Sequence, residues 1–478
     1  MATSPAALTG PDAAAAAGLR ERFGYLQELV RDMERRVPYA SALVQTRTGM
    51  RINLQDAEQS VNRLDPQEGV VLTASDGHQL QEASTDRLDR DSVRRLADEL
   101  LDAVSARQVA EDEPTFEIHV DPTPLGDYAT EMRIDPASLS LADKIDRFQS
   151  LRRRLRGFDE RSVQAICAYS QSELQEVFAN RAGLTTQQIR RAHVGLVLFV
   201  SDGSRQEYTF MLRDGTGGLE VVEVDDQTLQ ETSDIAVQLL SSTPMPPGTY
   251  DVVTDPGTSG VIAHEAFGHG METDMFLKGR ARGAEFIGQK IGSDLVTIVD
   301  DPALPRAHGS YFVDDEGQPA MRTEIMRDGV LLRGITDLYS ATRLGLSRSA
   351  NGRRESVQRK AYARMSNTFF TEGSSTVDEV LGSLDGIYLC RTENGMEDPK
   401  GWGIQIWTRY GREYKGGKPT GRVFSPVAIT GYVPDVLRDV SLVANDFWLD
   451  GGVCGKGWKE IVPVSSGGPH LRTRCTLA

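Results

Sequence analysis

His264-Glu265-Ala266-Phe267-Gly268-His269 places two imidazoles around a carboxylate. On a helix, His-Glu-x-x-His turns both rings toward one metal and leaves the Glu to activate a water. Here the second His comes one residue later. On a regular helix, i and i+5 lie roughly 140° apart, against roughly 40° for i and i+4. Rings so placed do not easily share a tetrahedral metal. Two local structures resolve this: a π-bulge that absorbs one extra residue, or a helix that ends before His269. Gly268 suits both. Two unrelated core histidines are the alternative. With only 7 His in 478 residues, that coincidence is a poor explanation, and the run points to a metal site.

The four cysteines, Cys167, Cys390, Cys454 and Cys475, are widely spaced. They suggest no disulfide framework and fit a reducing compartment. Cys167 sits in an apolar, strand-like stretch and reads as core. Cys454 lies in Asp450-Gly-Gly-Val-Cys-Gly-Lys-Gly457, where glycines let the backbone approach something closely. A thiolate there could be a third metal ligand. On these residues alone, a turn cysteine without a role is the simpler reading.

A net charge of −16 argues against a phosphate-binding footprint, so direct nucleic-acid contact is not expected. No apolar run approaches the roughly 20 residues of a membrane span. The alanines 13–17 have no basic segment ahead of them, so the N-terminus does not read as a secretory signal. The expected location is cytoplasmic.

These side chains need a scaffold, and the patterning expects an α+β protein. Leu19, Phe23, Leu26, Val30 and Met33 form one helical stripe after a possible Asp12 cap. Strands are expected at 41–44, 50–54, 69–73 and 78–83, the last two joined through Asp76-Gly77, then a helix over 91–104. Glu111-Asp-Glu-Pro114 and Pro122-Thr-Pro124 read as a linker. A helix carrying Leu141, Ile145, Phe148, Leu151 and Leu155 follows. Strands come next at 162–169, 173–180, 192–201 and 207–211, and then a helix over 229–240. Met245-Pro-Pro-Gly248 marks a boundary. Beyond it lie short strands, including 331–335, 404–408 and 423–433. The expected units are 1–110 (α/β), 111–243 (α/β, packing with the first) and 244–478 (β-rich). Helices on a sheet would thus precede the part that carries the metal motif.

Several runs then carry a resemblance to the TldD/PmbA family. Residues 256–274, around the His-Glu motif, are one. The others are Val299-Asp-Asp301, Phe312-Val-Asp-Asp-Glu-Gly317, Asn351-Gly-Arg-Arg-Glu-Ser356, Arg364-Met-Ser-Asn367 and Gly451-Gly-Val-Cys-Gly-Lys456. They occur in order and reach nearly to the C-terminus. The first half agrees in organisation more than in residues. One departure is Glu393-Asn-Gly-Met-Glu-Asp398, which stands where the family usually has Gly-Gly-Gly-Gln.

The resemblance implies a cytosolic zinc peptidase with one Zn2+ per chain, held by His264, His269 and Cys454, with Glu265 as base. It also implies a heterodimer with a PmbA/TldE-like partner lacking the metal motif, or otherwise a homodimer. Its substrates would be unfolded polypeptides or peptide precursors. Three protein ligands leave a fourth position for water, and a thiolate makes the metal a weaker acid than an all-His site. Arg353, Arg354, Arg364 and Asn367 are candidates to bind substrate, and the arginines are also candidate oxyanion donors. His308 and His470 are read as surface residues, with second-sphere or ligand roles as alternatives. A non-catalytic scaffold subunit and a regulator of a DNA enzyme such as gyrase are the competing functions. The many short strands suggest that peptide adds as a strand to a sheet edge near the metal.

Overall fold

In a computed structural model, the structure describes residues 10–56, 58–118, 126–457 and 459–478. Residues 39–216 supply one seven-stranded sheet. Across it run Leu80–Thr85, Gln59–Ser75, Tyr39–Leu54, Ser162–Ala179, Leu184–Ser201 and Asp127–Ala129, with Gln206–Thr216 also paired to Leu184–Ser201. The strands expected at 41–44 and 50–54 are the two ends of Tyr39–Leu54. Those at 162–169 and 173–180 are likewise one strand, registered from Ala42↔Ala179 to Leu54↔Cys167. Polar central residues hid that continuity. The sheet therefore draws strands from both 1–110 and 111–243.

Period-two alternation gives this sheet two unlike faces. Ala40, Ala42, Val44, Ile52 and Leu54 on one strand, with Cys167, Tyr169, Val177 and Ala179 on the next, lie under four helices. The helices are Tyr25–Met33, Arg90–Ala106, Leu141–Arg156 and Asp226–Leu239. The other face is polar. Gln45 donates to Asp315 Oδ1 (3.2 Å), Gln187 to the Val313 carbonyl (2.8 Å) and Arg191 to the His308 carbonyl (2.7 Å), all in the C-terminal part.

Three sequence expectations change in detail. The opening stripe is divided at Gly24 into Gly10–Phe23 and Tyr25–Met33, and Asp12 is inside the first turn, paired with Arg190 rather than capping. Glu113, in the expected linker, is fastened to Arg107 at 2.8 Å. The Pro122–Pro124 part of that linker is outside the described residues. The strand expected over 423–433 is interrupted by Pro426, which has no N–H to donate, into Lys418–Phe424 and Val427–Tyr432.

The C-terminal part holds two large sheets and a two-stranded one, Gly352–Arg353 with Tyr362–Ala363. Gly386–Asp398, Gly248–Thr254, Leu471–Leu477, Val427–Tyr432 and Gly403–Lys415 pair in that order, and the last also pairs with the first, which closes a ring. The second sheet runs Val330–Leu331, Thr323–Arg327, Ile298–Asp300, Asn367–Phe370, Lys459–Gly468 and Trp448–Lys456. Only the first residue of the strand expected at 331–335 belongs to it. Trp448–Lys456, the strand of Cys454, is its edge. A short helix, Pro256–Ala263, packs against both sheets. Among the described residues no helix is long and apolar enough to cross a membrane.

Candidate metal centre

The metal helix begins where the sequence provides a start. Asp255 caps it by accepting from Thr258 N at 2.8 Å, and Pro256 occupies the first turn. Gly260 is pressed onto the neighbouring strand: a Cβ there would stand 2.2 Å from Gly467 N. After Ala263 the helix widens. Residues His264–Gly268 form a π-turn, and His269 N donates back five residues to the His264 carbonyl. The π-bulge is therefore the solution the chain uses. The extra residue is absorbed within the turn, and the rings lie edge-on with centroids 5.3 Å apart.

Both rings meet Cys454 across 190 and 185 residues of sequence. His264 Nε2 lies 3.1 Å, and His269 Nε2 3.0 Å, from Cys454 Sγ. The three ligand atoms all fall within 4.8 Å of one another. His264 and Cys454 are each only 7% exposed, while the His269 side chain is 18% exposed, so access is from the His269 side. Burial alone would push the Cys454 thiol up, but the two imidazoles outweigh it and hold the group well below its ordinary value, as thiolate. Burial likewise presses both imidazoles down. The thiolate, with Glu265 for His264 and Glu272 for His269, leaves them raised instead.

This donor set fits zinc: one soft thiolate and two imidazole Nε2 atoms converging from one side. A tetrahedral zinc with ordinary bond lengths would hold sulfur and nitrogen about 3.5 Å apart, so the ligands need to spread by about half an ångström.

The surroundings orient the ligands. His269 Nδ1 faces Glu272 Oε2 at 3.6 Å, the carboxylate backing that fixes which ring nitrogen points at a metal. Glu272 is itself held by Arg364 Nε (2.9 Å) and Lys456 Nζ (3.1 Å), and Lys456 also reaches Asp274 (2.6 Å). Although burial opposes it, these cations keep the Glu272 carboxyl well below the usual range. Arg364 Nη2 also donates to Cys454 Sγ at 3.0 Å, and its Nη1 donates to the Glu460 carbonyl. Sequence reasoning missed Glu272. Its place one helical turn after His269 was the available signal. Glu265 is half-buried and packs against Gly395, where a Cβ would stand 2.7 Å from Glu265 Cγ.

The other sequence candidates are held as follows. Arg364 is fully buried and spent on Glu272, Glu460 and Cys454, so it supports a ligand and does not face substrate. Arg354 pairs with Glu82 at 2.9 Å. The Asn367 amide donates to the Asp301 carbonyl and Ser310 Oγ, holding a loop. Arg353 packs over Tyr311 and donates to the Met365 carbonyl. The surface reading of both histidines is corrected. His308 is enclosed, and burial drives its imidazole down to about 3. His470 is bracketed by Asp446 (2.7 Å) and Tyr388 (2.8 Å). Neither joins the His264–His269–Cys454 cluster. The remaining motif residues knit the layer behind the site: Asp300 accepts from Asn351, Ser366 and Thr368, and Asp315 accepts from Arg354 N.

Comparison with known proteins finds a family model, sequence relatives and solved structures similar to this chain. A family model described as the PmbA/TldA metallopeptidase C-terminal domain matches residues 247–476. A metalloprotease of Methanothermobacter thermautotrophicus is 35% identical over 319 residues, 65% of this chain and 69% of that one. A metalloprotease TldD homologue of Buchnera aphidicola is 31% identical over 335 residues, 66% and 68% of the respective chains. Among solved structures, a candidate modulator of a DNA gyrase from Thermotoga maritima matches with TM-score 0.75 at 18% identity, covering 96% of this chain and 100% of that one. TldE from Thermococcus kodakarensis matches with TM-score 0.72 at 15% identity, covering 94% and 99%. The two structures share the fold. By its sequence relatives, this chain belongs to the TldD/PmbA family of metallopeptidases.

Proposed function

We propose that this chain is a zinc peptidase that hydrolyses peptide bonds of unfolded polypeptides or peptide precursors. The observation that carries this reading is the convergence of His264 Nε2 and His269 Nε2 on Cys454 Sγ, with Glu265 on the same turn. Zinc, when bound, supplies Lewis-acid activation of the attacking water and of the scissile carbonyl. Glu265 takes the water's proton and passes it to the leaving amine. Glu272 holds the His269 ring through Nδ1, and Arg364 offsets the Cys454 charge that would otherwise weaken that activation.

Cys454 lies on the edge strand Trp448–Lys456, whose outer side meets Asp214 at Gly451 and beyond that point can accept another strand. Addition of an extended substrate there would rely on main-chain hydrogen bonds, tolerate many side chains and require an unfolded chain. A TldE-like partner, or a second copy, would close the site against folded proteins.

Glu265→Gln tests the reading. The variant should keep its zinc and lose peptide hydrolysis by about two to four orders of magnitude. Near wild-type cleavage would remove Glu265 as the base.

A further inference from the structure

A cavity of about 270 Å3 lies between the polar face of the N-terminal sheet and the C-terminal part, with Arg47, Arg191, Arg353, Glu176, Tyr311 and Val462 in its wall. Nearby arginines are neutralised: Arg354 by Glu82, Arg348 by Asp314, Arg364 by Glu272. Among the described residues, Arg47, Arg191 and Arg353 meet no carboxylate at ion-pair distance. Their hydrogen bonds go to main-chain carbonyls: Arg47 to Glu355, Arg191 to His308 (2.7 Å) and Ser310 (2.9 Å), and Arg353 to Met365. A carbonyl satisfies an N–H but does not cancel the charge. Arg47 Nε is buried with no partner at all.

The wall also holds the acids Asp65, Glu173, Glu176, Asp314 and Asp315, but none of them stands at ion-pair distance from these three arginines. Burial, then the charge of Asp315, pushes the Glu176 carboxyl up to about 8. Burial and the charges of Arg353 and Arg47 push Arg191 down only to about 9, so it remains a cation. Arg191 and Arg353 are buried and Arg47 is half-buried, and like charges gathered away from water are costly unless an anion joins them. The guanidinium fork matches the two oxygens of a planar carboxylate.

The cavity adjoins the metal centre. Val462, in its wall, is the register partner of Cys454. Met365, whose carbonyl Arg353 holds, precedes Arg364, which donates to Cys454 Sγ.

We propose that this cavity is an anion subsite that takes a carboxylate of a peptide lying at the metal centre, either its C-terminus or an acidic side chain. The choice of a peptide as ligand rests on the peptidase reading; the anion site itself rests on the three unpaired arginines.

Binding is read apart from turnover. The full-length Glu265→Gln chain, zinc-loaded, is titrated with an eight-residue alanine-based peptide in three forms: free acid, C-terminal amide, and amide carrying one internal Glu. The acid should bind about ten- to a hundredfold tighter than the plain amide. Arg47→Met and Arg353→Met, checked for fold by circular dichroism, should erase that preference, and either folded variant decides. If the Glu-bearing amide matches the acid, the site stands with a side-chain carboxylate as its occupant. Equal binding of all three forms, or a preference that survives the arginine variants, overturns the subsite. Absence of hydrolysis by the wild-type chain alongside a preserved preference would instead sink the peptidase reading and leave the anion site intact.

Discussion

Cys454 receives a hydrogen-bond donor from a buried cation as well as two imidazoles, which a cysteine merely filling a turn does not need. Arg364 joins the ligand to Glu272, and Glu272 joins it to His269, so one side chain braces two ligands. Arg364→Met should therefore strand Glu272 and loosen the site. Zinc affinity, measured by competition with a chelator, should fall about ten- to a hundredfold; an unchanged affinity would show that the contact to Sγ is incidental. His264, Glu265 and His269 were legible in the sequence because they are neighbours in one turn. Cys454 was not legible from its own surroundings, since its meaning depends on side chains 185 and 190 residues away. Arg364 was legible only as a charged residue in a motif. Nothing local says that it points inward.

The π-turn is the element on which the site depends, because it absorbs the residue that separates this motif from the usual spacing. The strand Gly386–Asp398 passes beneath it, and Gly395 leaves room for Glu265. In Gly395→Ala, the new Cβ would stand 2.7 Å from Glu265 Cγ and 2.5 Å from Val261 Cγ1, so Glu265, the proposed base, must move. Zinc content should be retained while kcat falls roughly ten- to a hundredfold, the usual effect of misplacing a catalytic group by about an ångström. Wild-type kcat in this variant would mean that Glu265 tolerates displacement. At this scale the sequence revealed element types better than their extents. Helices such as Leu141–Arg156 followed from their stripes. The two long strands were read in halves because Gln45 and Glu176 face the C-terminal part instead of the helices.

Across the whole molecule, the two parts meet through apolar contacts, such as Leu239 with Tyr410 and Val423, and through polar ones, some of which carry proton linkage. Asp214, on the N-terminal sheet, accepts from Gly451 N at 3.0 Å on the strand of Cys454, and burial, aided by Asp450, pushes it up to about 7. The folded chain thus holds this proton over a pH range, from about 4 upward, in which the unfolded chain has released it. The resulting stability is complete below the unfolded value and is lost as pH rises through about 7. Asp214→Asn keeps an acceptor for Gly451 and has no proton to lose. Relative to wild type, it should therefore gain stability from pH 5 to pH 8 in denaturant titrations. A constant difference would show that Asp214 titrates normally. The ring of strands, the shared N-terminal sheet and the enclosure of His308 could not be read from patterning, because they arise from pairings between distant segments. The proposed zinc peptidase activity rests on His264, His269 and Cys454 acting together. Its most direct test is the zinc content of the purified wild-type chain and of Cys454→Ser, measured by inductively coupled plasma mass spectrometry beside a peptide-cleavage assay. The wild-type chain should hold about one zinc, with most of it lost in the Ser variant although the fold persists. Full zinc retention with unaltered cleavage in Cys454→Ser would contradict it.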